Sequence, residues 1–312
     1  MEKEGAVLCR NIKIRIERGG EILMLSQNEL ALVLKGAYLP EHLPSYFQKF
    51  SKMEPFIEDQ FLYYKNEDVI SFIGYPLGAE ELYLANQDMD KVYKEMTVVL
   101  DKVVEQHKPK DVKIIAPIEI PVKGYKIEKA TVEKDSYAIL DIENLKLPSK
   151  VKNMINRGSR ELETTFSRDF SVQNYKLLLE FLKEKRFPDT SSNFYHNIPD
   201  YVIHSETAVV INAYKIGQRS KEELLGYNIV DFSYGDFCFY LFNVIGDGED
   251  HIPGTSDLLM HEMVQLTKEK GKKYINMGLG INRGIKKFKE KWGAKDLINY
   301  NFMSYKKAAL FI

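Results

Sequence analysis

The order of elements between Ala208 and Ala294 constrains the fold more than any other feature of the sequence. Three apolar, β-branched and aromatic runs follow one another: Ala208 to Tyr214, Leu224 to Val230, and Phe237 to Val244. Gly235-Asp236 supplies a hairpin turn between the last two. A helix with defined ends comes next. Thr255 or Ser256 is placed to cap it, Asp257 suits its positive end, and Leu259, Met263 and Leu266 form its buried stripe. Lys268 and Lys270 suit its negative end, and Gly271 supplies a left-handed stop. Tyr274 to Gly280 then reads as a buried strand ending in two glycines. Ile281 to Ala294 reads as a short basic helix with Ile285, Phe288 and Trp292 inside and Gly293 as its cap. Three antiparallel strands followed by helix, strand and helix predict an α/β (α+β) layer: a mixed, largely antiparallel sheet flanked by helices.

The first half repeats this order in weaker form. Strands are predicted at Lys13 to Glu17, Ile22 to Leu25, Phe61 to Lys65 and Asp68 to Ile73, the last two joined by the turn Asn66-Glu67. A helix follows with Val92, Met96, Val99, Leu100 and Val103 on one face, stopped by Pro109, and then strands at Val112 to Pro117 and Tyr137 to Ile142. A chain of 312 residues fits two domains of ~150 residues. Residues 143–149 look like a connector, which places the domains at 1–145 and 146–312. Beyond it, Ser149 is expected to cap a helix carrying Lys150, Lys152, Arg157 and Arg160. Ser171 is expected to open another with Tyr175, Leu178, Leu179 and Leu182 on one face. The polar, aromatic stretch 187–205 reads either as a substrate-covering loop or as a plain irregular connection.

Charge is unevenly spread. From Lys268 to Lys295 ten basic and two acidic residues give +8, so the rest of the chain carries −9 for a net charge of −1. Such a stretch is either a set of solvated helix faces or a footprint for an anionic partner: a phosphate-bearing cofactor, tRNA or a lipid head group. Cys9 and Cys238 have no metal-ligand spacing and suggest a reduced setting, with Cys238 a buried, inert thiol in its strand. The N-terminus lacks the apolar region of a secretory signal, and no apolar run reaches the ~20 residues of a transmembrane helix, so a cytoplasmic protein is expected. His196, His204, His251 and His261 share no ligand spacing, which predicts no metal site. No nucleophile elbow, Walker loop or dinucleotide fingerprint occurs.

Three pieces together carry a resemblance: Gly254-Thr-Ser-Asp-Leu-Leu-Met-His-Glu-Met, the strand Tyr274-Ile-Asn-Met-Gly-Leu-Gly, and Gly284-Ile-Lys-Lys-Phe-Lys-Glu-Lys-Trp-Gly293. They resemble the closing part of the GNAT superfamily, and within it the Fem-like peptidyltransferases and the C-terminal domain of phosphatidylglycerol lysyltransferases. Lys150 to Arg157 is similar to the basic helix that begins the second half of such proteins. The resemblance implies tandem GNAT-like domains, a degenerate first one and a second that holds the donor. It implies transfer of an activated acyl group, from acyl-CoA or aminoacyl-tRNA, to an amine or hydroxyl acceptor. The acceptor would be a small molecule, a lipid or a peptide amine, with tRNA as a partner and a peripheral membrane contact also within the family's range. Two departures point to the Fem-like side. Pro253-Gly254-Thr255 stands where CoA-using relatives carry a Gly-x-Gly loop, and Lys289 stands where they often place an acidic tyrosine.

The expected donor site combines the free N–H groups at Gly254, Thr255 and Ser256, at the positive end of their helix, with Asn282, Lys286 and Lys287. His251 reads as a base for the acceptor amine or as a loop histidine. Lys289 reads as the leaving-group acid or as an exposed, solvated lysine. Acyl transfer from an activated ester needs positioning and dipoles more than a triad. The altered loop leaves a second reading open: a non-catalytic GNAT-like module that binds a nucleotide, lipid or RNA.

Overall fold

The structure is a computed structural model and describes residues 25–85, 89–131, 134–185, 194–216, 224–246 and 252–308. The strand expected at Lys13 to Glu17 lies outside these residues, as does the one at Ile22 to Leu25 except for Leu25 itself. Twelve strands form one sheet in the order β1-β2-β3-β4-β12-β6-β11-β10-β9-β8-β7, with β5 also pairing β12. In the first half these are β1 (Glu54–Glu58), β2 (Phe61–Lys65), β3 (Val69–Ile73), β4 (Asp111–Ala116), β5 (Tyr125–Ala130) and β6 (Asp135–Asp141). In the second they are β7 (Leu162–Ser167), β8 (Ala208–Lys215), β9 (Leu224–Asp231), β10 (Phe237–Ile245), β11 (Tyr274–Asn276) and β12 (Lys295–Lys307).

Among the described residues two of the ladders are parallel, β3 with β4 and β10 with β11. A parallel partner cannot be reached by a tight turn, so each needs a crossover. The helices Asp90–His107 and Thr255–Glu269 provide them. The same run of antiparallel strands, helix and parallel strand thus occurs in each half. Val92, Met96, Val99, Leu100 and Val103 are the buried face of the first crossover, as their spacing predicts.

In β8 and β9 almost every residue is buried, because both faces are covered. Val209, Ile211 and Ala213 pack with Val151, Ile155, Leu258, Leu259 and Met263, from the helices Ser149–Glu161 and Thr255–Glu269. Val210 turns the other way, against Leu177, Leu178, Leu182, Tyr201 and Val202 of the helices Val172–Lys185 and Ile198–His204. The latter helix occupies part of the stretch expected to be loop. The buried face of Val172–Lys185 is Asn174, Leu177, Leu178 and Leu182, while Tyr175 and Leu179 are 43% and 42% exposed. Asn174 rotates that face by bonding Asn212 across to β8 at 2.7 Å.

Strand β12 joins the halves. Its residues Lys295 to Tyr300 pair antiparallel with β6, and Asn301 to Lys306 pair with β4. Strand β6 in turn pairs with β11, so a strand of the first half lies between two of the second. Side chains tie the same seam: Asn276 donates to the Tyr38 carbonyl at 2.8 Å, and Ser233 to the Leu34 carbonyl at 3.1 Å. Among the described residues no helix is long and apolar enough to cross a membrane.

Candidate functional site

Strand β11 ends at Asn276, and the six residues that follow are held on every side. The Asn276 side chain accepts from Gly278 N–H at 2.8 Å, and Gly278 adopts φ +72, a conformation that suits glycine. Asp135, the first residue of β6, accepts from the N–H groups of Gly280 (2.9 Å) and Ile281 (3.3 Å). Lys289 takes the opposite pole: its Nζ donates to the carbonyls of Gly278 and Leu279, both at 2.7 Å. A carboxylate on the amides and an ammonium on the carbonyls fix one loop. At its tip Ile281 has φ +39 and is 78% exposed, an unusual backbone for a β-branched residue.

Lys289 is not the solvated side chain that a basic surface helix suggests. It is 4% exposed, and burial lowers its pKa to about 8, against the opposing pull of Asp135 and Asp296. The spacing already held this signal. Lys289 lies four residues after Ile285 and three before Trp292, which puts it on the inner stripe of the helix Arg283–Trp292. Asn282 is the cap of that helix, accepting from Ile285 N–H at 3.0 Å.

Beside this loop opens a cleft of about 510 Å³, lined by Thr131, Lys134, Asp135, Ile281, Asn282, Arg283, Lys286, Lys287, Glu290 and Tyr300. Four basic side chains face two acidic ones there, so the cleft carries a positive excess. Lys286 lies 3.9 Å from Asp135. The cleft brings together Asn282, Lys286 and Lys287 of the expected donor site. It does not bring in Gly254, Thr255 or Ser256. Those residues begin the helix Thr255–Glu269, whose end packs against the helix Ser149–Glu161. Gly254 has φ +102, and a Cβ there would stand 2.4 Å from the Met154 carbonyl oxygen.

The expected caps at these two helix starts are also different in detail. Thr255 donates its hydroxyl to the Ile252 carbonyl at 2.6 Å, and no side chain caps that helix. Ser149 is the first helical residue and likewise makes no capping bond. His251 lies outside the described residues. Thr131, Lys134, Asp135 and Tyr300 have no motif that marks them in the sequence; the β6–β12 pairing delivers them.

Behind the cleft helix, Asp257 closes the connection to the crossover. It is 4% exposed, accepts Trp292 Nε1–H at 3.0 Å, and binds Lys291 Nζ at 2.6 and 2.8 Å through its two oxygens. Cys238 is fully buried and burial raises its thiol pKa, which fits an inert thiol.

Comparison with solved structures places this architecture. The C-terminal domain of a chain named as a lysylphosphatidylglycerol synthetase, from Agrobacterium fabrum, matches with a TM-score of 0.59 at 13% identity, over 87% of this chain and 89% of that one. The L-PGS structure from Bacillus licheniformis matches at 0.55 and 18% identity, over 92% and 93%. FemX matches at 0.58 and 12% identity, over 90% and 96%. The chain has the Fem-like fold that these structures share, as the resemblance implies. At these identities the likeness is one of fold. No family model matches the sequence, and neither does any curated protein.

Proposed function

We propose that this Fem-like protein transfers an activated acyl or aminoacyl group to an amine or hydroxyl acceptor, with the donor's anionic part held in the cleft. The observation that carries this reading is the basic cleft itself, set at the end of β11 beside the buried ammonium of Lys289. Lys134, Arg283, Lys286 and Lys287 would neutralise phosphate oxygens of acyl-CoA or of aminoacyl-tRNA. The acceptor's nitrogen or oxygen would form a new bond to the ester or thioester carbonyl carbon and give up a proton, the donor's C–O or C–S bond would break, and the departing oxygen or sulfur would take up a proton. The proposal divides the chain at residue 145 into two GNAT-like units, with Thr131, Lys134 and Asp135 contributed by the first and the donor-binding helix Arg283–Trp292 by the second.

The donor is tested by measuring binding and turnover with acetyl-CoA, longer acyl-CoAs and charged tRNA. Reversing Lys286 and Lys287 together to glutamate should weaken donor binding by roughly a hundredfold at low salt, and less at high salt. Unchanged affinity would remove the cleft from the reading.

Lys289 is proposed as the leaving-group acid. Its proton comes off near pH 8, so an acid role makes the rate fall as pH rises through that value. In Lys289→Met the rate should drop by about 100-fold or more, and what activity persists should lose that alkaline limb. A variant that keeps the limb would assign it to another group.

A second reading, binding without turnover, is favoured by the packed end of the helix Thr255–Glu269. It predicts stabilisation by one of the donors with no release of thiol or deacylated tRNA.

A further inference from the structure

Glu41 lies in the short 3-10 turn Pro40–His42, and its neighbours commit this turn to the interior. Tyr64 donates its hydroxyl to the Glu41 carbonyl at 2.8 Å. His42, fully buried, sits between the Tyr38 N–H at 3.4 Å and the Tyr75 carbonyl at 3.0 Å. Glu41 is half-buried as a residue, and its carboxyl Oε2 is sealed from solvent with no hydrogen-bond partner among the described residues.

Five tyrosines surround that carboxyl closely enough for its charge to disfavour their ionisation: Tyr46, Tyr64, Tyr75, Tyr137 and Tyr300. Two of their hydroxyls are committed elsewhere, Tyr64 to the Glu41 carbonyl and Tyr75 to the Asn299 carbonyl at 2.5 Å. The Tyr137 hydroxyl is buried, has no other partner among the described residues, and lies close enough to the Glu41 carboxyl to favour its ionised form. No described lysine or arginine pairs with Glu41.

Burying an acid without a counter-charge is unfavourable, and the fold gives it no obvious return in packing. The surroundings suit one kind of guest. Tyrosine faces attract ammonium groups, and an ammonium would supply the counter-charge that Glu41 lacks among the described residues. The site also adjoins the cleft. Tyr300 lines the cleft, its ring meets Tyr137 edge-on at a centroid distance of 5.7 Å, and burial together with the charges of Glu41 and Asp135 holds its hydroxyl protonated.

We propose that Glu41 and the surrounding tyrosines form a subsite for a primary ammonium group, entered from the cleft past Tyr300. The basic rim would then hold the anionic part of a substrate and Glu41 its cationic end. This deepens the transfer reading by naming a chemical feature of the molecule that is bound. The ammonium would belong either to a transferred aminoacyl group or to the amine acceptor.

The test is a binding measurement just above neutral pH, without donor or turnover, so the subsite and the transfer reading can fail separately. L-alaninamide stands for the aminoacyl group, n-propylamine for a simple acceptor, and N-acetyl-alaninamide for the same body without the charge. Wild-type protein is expected to bind one or both amines, and the acetylated compound roughly tenfold more weakly or not at all. Binding of alaninamide alone assigns the ammonium to an aminoacyl group; binding of propylamine assigns it to the acceptor. Glu41→Gln should weaken amine binding roughly tenfold or more. Absence of amine binding to the wild type overturns the proposal. So does equal binding of the acetylated compound, a comparison that needs no variant. Undiminished binding in a folded Glu41→Gln protein overturns it as well.

Discussion

Replacing Asp257 with alanine should destabilise the protein by about 3 kcal/mol, read from chemical denaturation at neutral pH. The loss has two parts. Trp292 is fully buried, and its indole N–H would keep its burial while losing its acceptor. The Lys291 ammonium, held by both Asp257 oxygens, would lose its counter-charge in a half-covered site. Asp257→Asn separates the two. It can still accept from the indole but cannot neutralise the lysine, so about 1 kcal/mol should be lost. If the alanine variant cost under ~1 kcal/mol, the carboxylate would be no more than a favourable charge at a helix start. Because this contact joins the crossover helix to the helix that lines the cleft, Asp257→Ala should also loosen Lys286 and Lys287 relative to Asp135.

Removing the charge from Glu41 should have the opposite sign, and only above acid pH. Burial raises the Glu41 pKa from 4.5 to about 7, with Tyr137 acting weakly the other way. A carboxyl whose folded pKa is raised favours the folded state while it is protonated. That contribution is complete below pH 4.5 and is lost as pH climbs through about 7. Wild type should therefore lose about 3 kcal/mol of stability between these limits on account of this one group. Glu41→Gln lacks the transition. The variant should be nearly as stable as wild type at pH 5 and about 3 kcal/mol more stable at pH 8. The five tyrosines facing Glu41 are held protonated by burial. His42, whose pKa burial pushes down from 6.5 to about 3, adds a pH dependence of opposite sign as the unfolded histidine takes up its proton, but wild type and variant share it and it cancels in their difference. A stability gap that does not change with pH would mean the carboxyl is already neutral or solvated. The same uncompensated charge would serve an ammonium ligand, trading stability for a binding site.

Much of the fold can be read along the chain, because it rests on local patterns. The apolar spacing of Val92 to Val103 records one helix face, and that face is the one buried. The near-continuous apolar runs of β8 and β9 record strands covered on both sides. Gly271 and Gly293 mark helix ends through their positive φ. The order of strands, crossover helix and parallel strand follows from these patterns, while the likeness to GNAT proteins rested on the residues of three segments between Gly254 and Gly293.

The site was legible only in part. Asn282, Lys286 and Lys287 share one short helix start, so local sequence places them together. Gly254 and Lys286 were joined in the expected site by chemistry alone. In the structure the first packs against the carbonyl of Met154 while the second lines a cleft. Asp257 suits a helix dipole in the sequence, and only the fold sets it against Trp292.

What the sequence determined by itself is therefore the set of elements, their ends and their apolar faces, since these depend on neighbours within a few residues. What the tertiary structure decided is which polar groups meet. Asp135 reaches Gly280 across 145 residues of chain, and Tyr300 comes opposite Asp135 in the ladder, because β12 runs from β6 into β4 and carries one half of the sheet into the other. Periodicity says that a residue faces inward. It carries no record of the charge or carbonyl waiting there, which is why Lys289 could be placed on an inner stripe while its two carbonyl partners came only from the folded loop.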